Sequence, residues 1–290
     1  MNNLARLNPS DLEPDVGQEF EQLQTFYDAK YKIGWFRMNG APRPSVTRTL
    51  LRDIKSYINR VKQEMQTSNG QKYDFLVLAS AVDDVFNLGG DLDLFTRCIA
   101  SGDRDLLLQY ATDCVDIQYQ NLTHYDQPIT SISLVQGDAL GGGFEAALSC
   151  NVLIAEKGVK MGFPEVLFNM FPGMGAYSIL SRKIGSAAAE RMILGGKTYS
   201  SEAMYDMGIV DVLCDEGDGD MAVYRYVRGF NKTRNTSDSM RQVRDRCNPI
   251  SYQELLDITT IWVDAVFNLS DRDLRMMHHL VRGQNRKMSR

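Results

Sequence analysis

Apolar residues at Leu50, Leu51, Ile54, Ile58 and Val61 recur at three- and four-residue intervals and predict a helix over Val46–Gln66. Before it, Gly34–Met38 alternates like a strand, and Asn39–Pro44 has the composition of a turn. Phe75–Ala79 is a continuous apolar run, the pattern of a parallel strand buried on both faces. A loop with Asp83, Asp84 and the Gly89-Gly90 pair follows, then a helix from Leu92 and a longer one over Asp103–Leu122. The same order returns with a short strand at Ile132–Val135, a turn at Gly137–Gly143 and a helix at Phe144–Cys150. Val152–Ala155 and Val159–Phe163 read as strands, and Ala176–Ile184 and Ala187–Leu194 as helices. Ser200 suits an N-cap with Glu202 in the first turn, and Gly208 a C-cap before a strand at Ile209–Leu213. Leu255, Ile258, Trp262, Ala265, Val266 and Leu269 form one apolar face of a late helix. Strands alternating with helices define an α/β fold. Residues 1–30, polar and acidic, are expected to be an arm or surface helix, residues 31–221 the α/β core, and residues 222–290 a C-terminal helical region.

Composition narrows the function. A net charge of −5 over 290 residues argues against a general nucleic-acid binder. No apolar run is long enough for a membrane span, and Met1–Phe20 lacks an apolar signal core. Five widely spaced cysteines without a CxxC indicate neither a disulfide framework nor a zinc ribbon and suit a reducing cytoplasm. Three histidines, two of them adjacent, cannot supply the spaced His ligands of a catalytic zinc site. HExxH, GxSxG and GxxxxGK[ST] are absent. Two acids in apolar surroundings remain. Glu145 follows Gly141-Gly142-Gly143-Phe144, and Glu165 lies within Gly162-Phe163-Pro164-Glu165-Val166. Burial raises a carboxyl pKa and a nearby carboxylate raises it further, which prepares one acid and one base. The glycines permit close approach of backbone N–H groups to a ligand oxygen. Taken alone, the same residues also fit a helix-capping Glu145, a Glu165 paired with an arginine, and glycines serving only tight turns.

Phe86-Asn87-Leu88-Gly89-Gly90-Asp91-Leu92 and Gly137-Asp138-Ala139-Leu140-Gly141-Gly142-Gly143-Phe144-Glu145 resemble two segments of the crotonase (enoyl-CoA hydratase/isomerase) superfamily. Phe163-Pro164-Glu165, Phe171-Pro172-Gly173 and Ser200–Val212 continue the pattern in order. The resemblance implies a repeated ββα spiral core, Glu145 and Glu165 as the catalytic pair, and the Gly90 and Gly142 N–H groups as an oxyanion hole. Phe86–Leu92, Gly142–Cys150, Pro164–Phe168, Phe171–Ser178 and Ile261–Asp264 look close to the bacterial diffusible-signal-factor synthases. Met174–Ser178 and Asn151 depart from ordinary hydratases and argue against simple short-chain CoA hydration. What is then implied is a cytoplasmic enzyme, without cofactor or metal, that makes a cis-2-unsaturated fatty acid signal. Its substrate would be a 3-hydroxyacyl thioester on acyl carrier protein (or CoA), dehydrated and then hydrolysed. Leu140, Gly141, Met174 and Trp262 are the residues expected to line the acyl tunnel, and Cys150 is expected to be a core residue. The superfamily implies a homo-oligomer, a trimer or hexamer, and a sensor kinase is a further partner by the same resemblance. The rival readings are a hydratase or dehydratase without thioesterase activity, and a non-catalytic acyl-binding protein on the same fold.

Overall fold

The computed structural model describes residues 13–14, 19–40, 43–277 and 279. The chain begins with β1 (Glu13–Pro14), β2 (Leu23–Asp28), β3 (Ile33–Met38) and α1 (Arg48–Thr67). It continues through β4 (Phe75–Ser80), β5 (Val85–Asn87), α2 (Leu92–Ser101), α3 (Arg104–Leu122), β6 (Thr130–Val135), β7 (Asp138–Leu140) and α4 (Gly142–Ser149). Next come β8 (Val152–Glu156), β9 (Lys160–Gly162), α5 (Ala176–Ile184), α6 (Ser186–Gly195), β10 (Thr198–Ser200), α7 (Ser201–Asp206) and β11 (Val212–Cys214). The last named elements are α8 (Gly219–Lys232), α9 (Arg234–Cys247) and α10 (Tyr252–Val266), after which residues 271–277 are again helical.

Two sheets result. The larger has the order β1-β2-β3-β4-β6-β8-β11, and the smaller β10-β9-β7-β5. From β3 to β11 the large sheet is parallel. The strand pairs β4–β5, β6–β7 and β8–β9 each send their first strand to the large sheet and their second to the small one, with helical structure after each pair. This is the repeated ββα plan of an α/β fold.

The large sheet is buried on both faces, which explains its near-continuous apolar strands. Phe36, Leu76, Leu78 and Leu153 face the main core with α1, α3 and α4. Their neighbours Trp35, Phe75, Val77 and Ile154 face Ala222, Val223 and Val227 of α8. The period-two alternation of strand side chains divides these residues between the two cores.

Three features differ from the patterning. Leu23–Asp28, expected in an arm or surface helix, is a strand paired antiparallel with β3. It is held in part by Asp53 of α1, 3% exposed, which accepts from the Glu21 and Gln22 N–H groups at 2.9 and 2.8 Å. Removing a buried acceptor leaves its donors unpaired, so Asp53→Ala should cost about 1–3 kcal/mol of stability in denaturant titration. The segments expected as loop and turn contain β5 and β7, three-residue strands too short to display alternation. The C-terminal helices begin at Gly219, and α8 covers the sheet while α9 buries none of its residues. On α10, Leu255, Trp262 and Val266 of the expected face are buried together with Thr259 and Val263, and Ile258 is only half-buried. Ser200 caps α7 by accepting from the Ala203 N–H, and Gly208 follows that helix with φ +76°. Among the described residues, no helix is long and apolar enough to cross a membrane.

Candidate active site

Two glycine loops meet at one end of the small sheet. The first follows β5, where the Asn87 side chain accepts from the Gly89 N–H at 2.8 Å and Gly89 takes φ +97°. Val46 N–H donates to the Gly89 carbonyl at 2.8 Å, and the Asp91 N–H donates to the Tyr110 hydroxyl at 3.2 Å. The Gly90 N–H between them takes part in neither bond. The second loop joins β7 to α4. Gly142 is the first residue of α4, so its N–H has no acceptor within the helix. A side chain on Gly142 would lie 3.4 Å from the Gly90 nitrogen, so the two amides are neighbours. At Gly90 itself a Cβ would lie 2.6 Å from the Phe95 ring, which explains glycine at that position.

Glu145 lies in the first turn of α4 and is 1% exposed. It does not cap that helix. Its Oε1 accepts from the Met174 N–H at 2.8 Å and the Ala176 N–H at 3.1 Å, in the turn before α5. Burial pushes its carboxyl up to about 7, against the opposing pull of those two amides. Glu165 lies in the short 3-10 turn Pro164–Phe168. Among the described residues it pairs with no arginine, and its buried Oε2 has no hydrogen-bond partner, although the residue as a whole is only half-buried. Burial, and then the charge of Glu145, push its carboxyl up to about 8. Gly141 makes room for it. Gly141 has φ +54°, and a Cβ there would come within 2.4 Å of Glu165 Oε1.

Both acids line one cavity of about 440 Å³. All eight residues expected at the site also line it: Gly90, Leu140, Gly141, Gly142, Glu145, Glu165, Met174 and Trp262. Most of the remaining wall is apolar, with Leu50, Leu51 and Ile54 from α1, Phe95 from α2 and Val266 from α10. Trp262 forms part of the wall and a clamp. Its ring leaves no space for a Cβ on Gly173, at 2.2 Å, and Thr259 Oγ1 donates to the Gly173 carbonyl at 3.1 Å. The turn that supplies two amides to Glu145 is thereby fixed to α10.

The patterning did not single out the contributions of α1 and α3, because cavity-lining and core-facing positions share one helical period. One signal in α3 was available. Tyr110, Cys114 and Gln118, four residues apart, place polar atoms on a buried face, and all three line the cavity. Two other positions are structural. Cys150 is 5% exposed, with burial pushing its thiol up to about 12, as for an inert core cysteine. Asn151 Oδ1 accepts from the Ser131 N–H and hydroxyl at 2.9 and 2.8 Å, which ties the start of β8 to β6.

Glu145, Glu165 and the Gly90 and Gly142 amides thus meet in one largely apolar cavity. The sequence profile of the enoyl-CoA hydratase/isomerase family matches residues 45–258, well over half of the chain. The protein belongs to that family. A relative named "Probable enoyl-CoA hydratase" from Bacillus subtilis is 31% identical over 127 residues, 44% of this chain and 47% of that protein. A peroxisomal fatty acid beta-oxidation multifunctional protein of Arabidopsis thaliana is 30% identical over 161 residues, 56% of this chain and 22% of that protein. The chain thus spans half or less of the length of these curated relatives. Among solved structures, an enoyl-CoA hydratase from Bacillus halodurans has a TM-score of 0.73 at 17% identity, covering 89% of this chain and 100% of that one. Pseudomonas aeruginosa DspI has a TM-score of 0.61 at 21% identity, covering 80% and 82%. At these identities the likeness concerns the fold.

Proposed function

We propose that this protein dehydrates a 3-hydroxyacyl thioester carried on acyl carrier protein and then hydrolyses the thioester, releasing a cis-2-unsaturated fatty acid signal. The observation that carries this reading is the meeting of Glu145, Glu165 and the Gly90 and Gly142 amides in one apolar cavity. The sequence resemblance to diffusible-signal-factor synthases supports the finer assignment, and the apolar walls suit an acyl chain.

In the dehydration, the thioester oxygen lies between the Gly90 and Gly142 N–H groups. One Glu takes the proton from C2, and the C–H electrons pass into an enolate whose charge the two amides stabilise. Collapse of the enolate forms the C2–C3 double bond and breaks the C3–O bond, while the other Glu gives its proton to the departing oxygen as water. In the hydrolysis, a carboxylate removes a proton from water as the water oxygen bonds to the thioester carbon. The same amides hold the tetrahedral oxyanion. The C–S bond then breaks and the thiolate takes up the proton.

The first step needs one carboxyl group charged and the other protonated. With values of about 7 and about 8, the pair holds a single proton mainly between these limits. Below them the base is lost, and above them the acid. The pH profile of kcat/KM should therefore be bell-shaped with its maximum between about 7 and about 8. A flat profile from acid to alkaline pH would contradict two-carboxylate chemistry.

The central test is incubation of purified protein with 3-hydroxyacyl carrier protein and with the matching CoA ester, with products identified by mass spectrometry and NMR. Free cis-2-enoic acid from the carrier-bound substrate is the expected result. Accumulation of enoyl thioester alone would reduce the activity to a hydratase or dehydratase, and no turnover of either would favour an acyl-binding role.

A further inference from the structure

One polar side chain in the cavity wall has no task in this chemistry. Gln118 of α3 is 4% exposed and lines the cavity, and its buried Oε1 has no hydrogen-bond partner among the described residues. It lies beside the catalytic turn. A Cβ on Gly175 would be 3.2 Å from Gln118 Oε1, and the residues on either side of Gly175 donate the two amides that hold Glu145. One turn earlier on the same face, Cys114 lines the same cavity as Glu145. Other polar residues of that face are satisfied. The Tyr110 hydroxyl donates to the Val46 carbonyl at 2.7 Å, and the Asn121 amide donates to Ser149 Oγ at 2.8 Å.

A buried amide oxygen left unpaired among apolar walls is costly, and a leucine or methionine would fill the same space without that cost. A ligand group that pairs with it removes the penalty on binding. A hydroxyl suits this role because it can donate to Oε1 or accept from Nε2, whichever way the amide is turned. We propose that Gln118 is a specificity-determining residue that hydrogen-bonds the 3-hydroxyl of the bound acyl thioester and so selects 3-hydroxyacyl over unsubstituted acyl chains.

This rests on the acyl-thioester reading above, and the test separates the two. The probes are two pantetheine amides of equal chain length that cannot turn over, one carrying a 3-hydroxyacyl group and one the plain acyl group. The wild-type protein should bind the hydroxylated probe roughly ten-fold more tightly, the discrimination expected from one buried hydrogen bond. Gln118→Met keeps the length of the side chain and removes its polar atoms. It should bind both probes with nearly equal affinity, by weakening only the hydroxylated one. A merely structural role would weaken both alike, and that result would overturn the assignment. So would retention of the ten-fold preference in Gln118→Met and in a second variant, Gln118→Leu. Equal binding of both probes by the wild type would overturn it too while leaving acyl recognition intact, whereas binding of neither would overturn the acyl-thioester reading itself. Folding of Gln118→Met and Gln118→Leu is read separately by far-UV circular dichroism, and the preference is compared in whichever variant keeps the wild-type spectrum.

Discussion

Glu145→Gln and Glu165→Gln are each expected to lower turnover of a 3-hydroxyacyl thioester by about 10²–10⁴-fold, the usual contribution of a positioned acid or base. The exchange preserves shape and removes proton transfer. At Glu145, a Gln oxygen can still accept from the Met174 and Ala176 amides, so the turn before α5 should keep its form. At Glu165, the lost atom is a buried oxygen without a partner, so little bonding is given up. Stability should move in the opposite direction from activity. Both carboxyl groups titrate higher in the folded protein, at about 7 and about 8, than in an unfolded chain. The folded state then binds more protons between the ordinary carboxylate range and these values, and stability declines as pH rises through that window. The Gln variants lose this decline and should melt at or above the wild-type temperature in alkaline buffer. Rate measurements with thermal melts on both sides of neutral pH check the two claims together. Near-normal turnover in both variants would rule out the carboxylate pair as the chemical centre.

Trp262→Ala should have the largest effect on substrate choice. The indole is 4% exposed and meets the Phe95 ring edge-on at a centroid distance of 5.2 Å. It also packs against Gly173, so its removal opens the cavity beside the catalytic turn. Truncating a buried Trp typically costs about 3–5 kcal/mol. The enlarged cavity should favour acyl chains longer than those the wild type prefers. Competition between thioesters of graded length, with the products separated by mass, reads this directly. A folded variant with an unchanged length profile would restrict Trp262 to packing.

Much of the site was legible because its chemistry is local. Gly141-Gly142-Gly143-Phe144-Glu145 combines a helix start, the Gly142 amide without an acceptor in the helix, and an acid within one short segment. Gly89-Gly90 and Pro164-Glu165 are equally compact. Residues that reach the site through a long element were not legible. Leu50 and Ile54 of α1 have the same spacing whether they face a packed core or an open cavity. Gln118 stands within an otherwise ordinary helix, and only its buried, unpaired amide oxygen distinguishes it. The strand β2 was missed because its burial is mostly partial, which leaves the alternation weak.

The sequence by itself determined the α/β class, the buried parallel strands and the residue types of the candidate site. Each of these depends on spacing along the chain or on one residue's intrinsic chemistry. Only the tertiary structure decided how those residues act on one another. Glu165 occupies the space that a side chain on Gly141 would need, and the turn before α5 supplies both amides to Glu145. These are through-space relations between separate segments, set by the packing of α4, α5 and α10. The raised carboxyl groups have the same origin, because desolvation depends on every atom that excludes water from them.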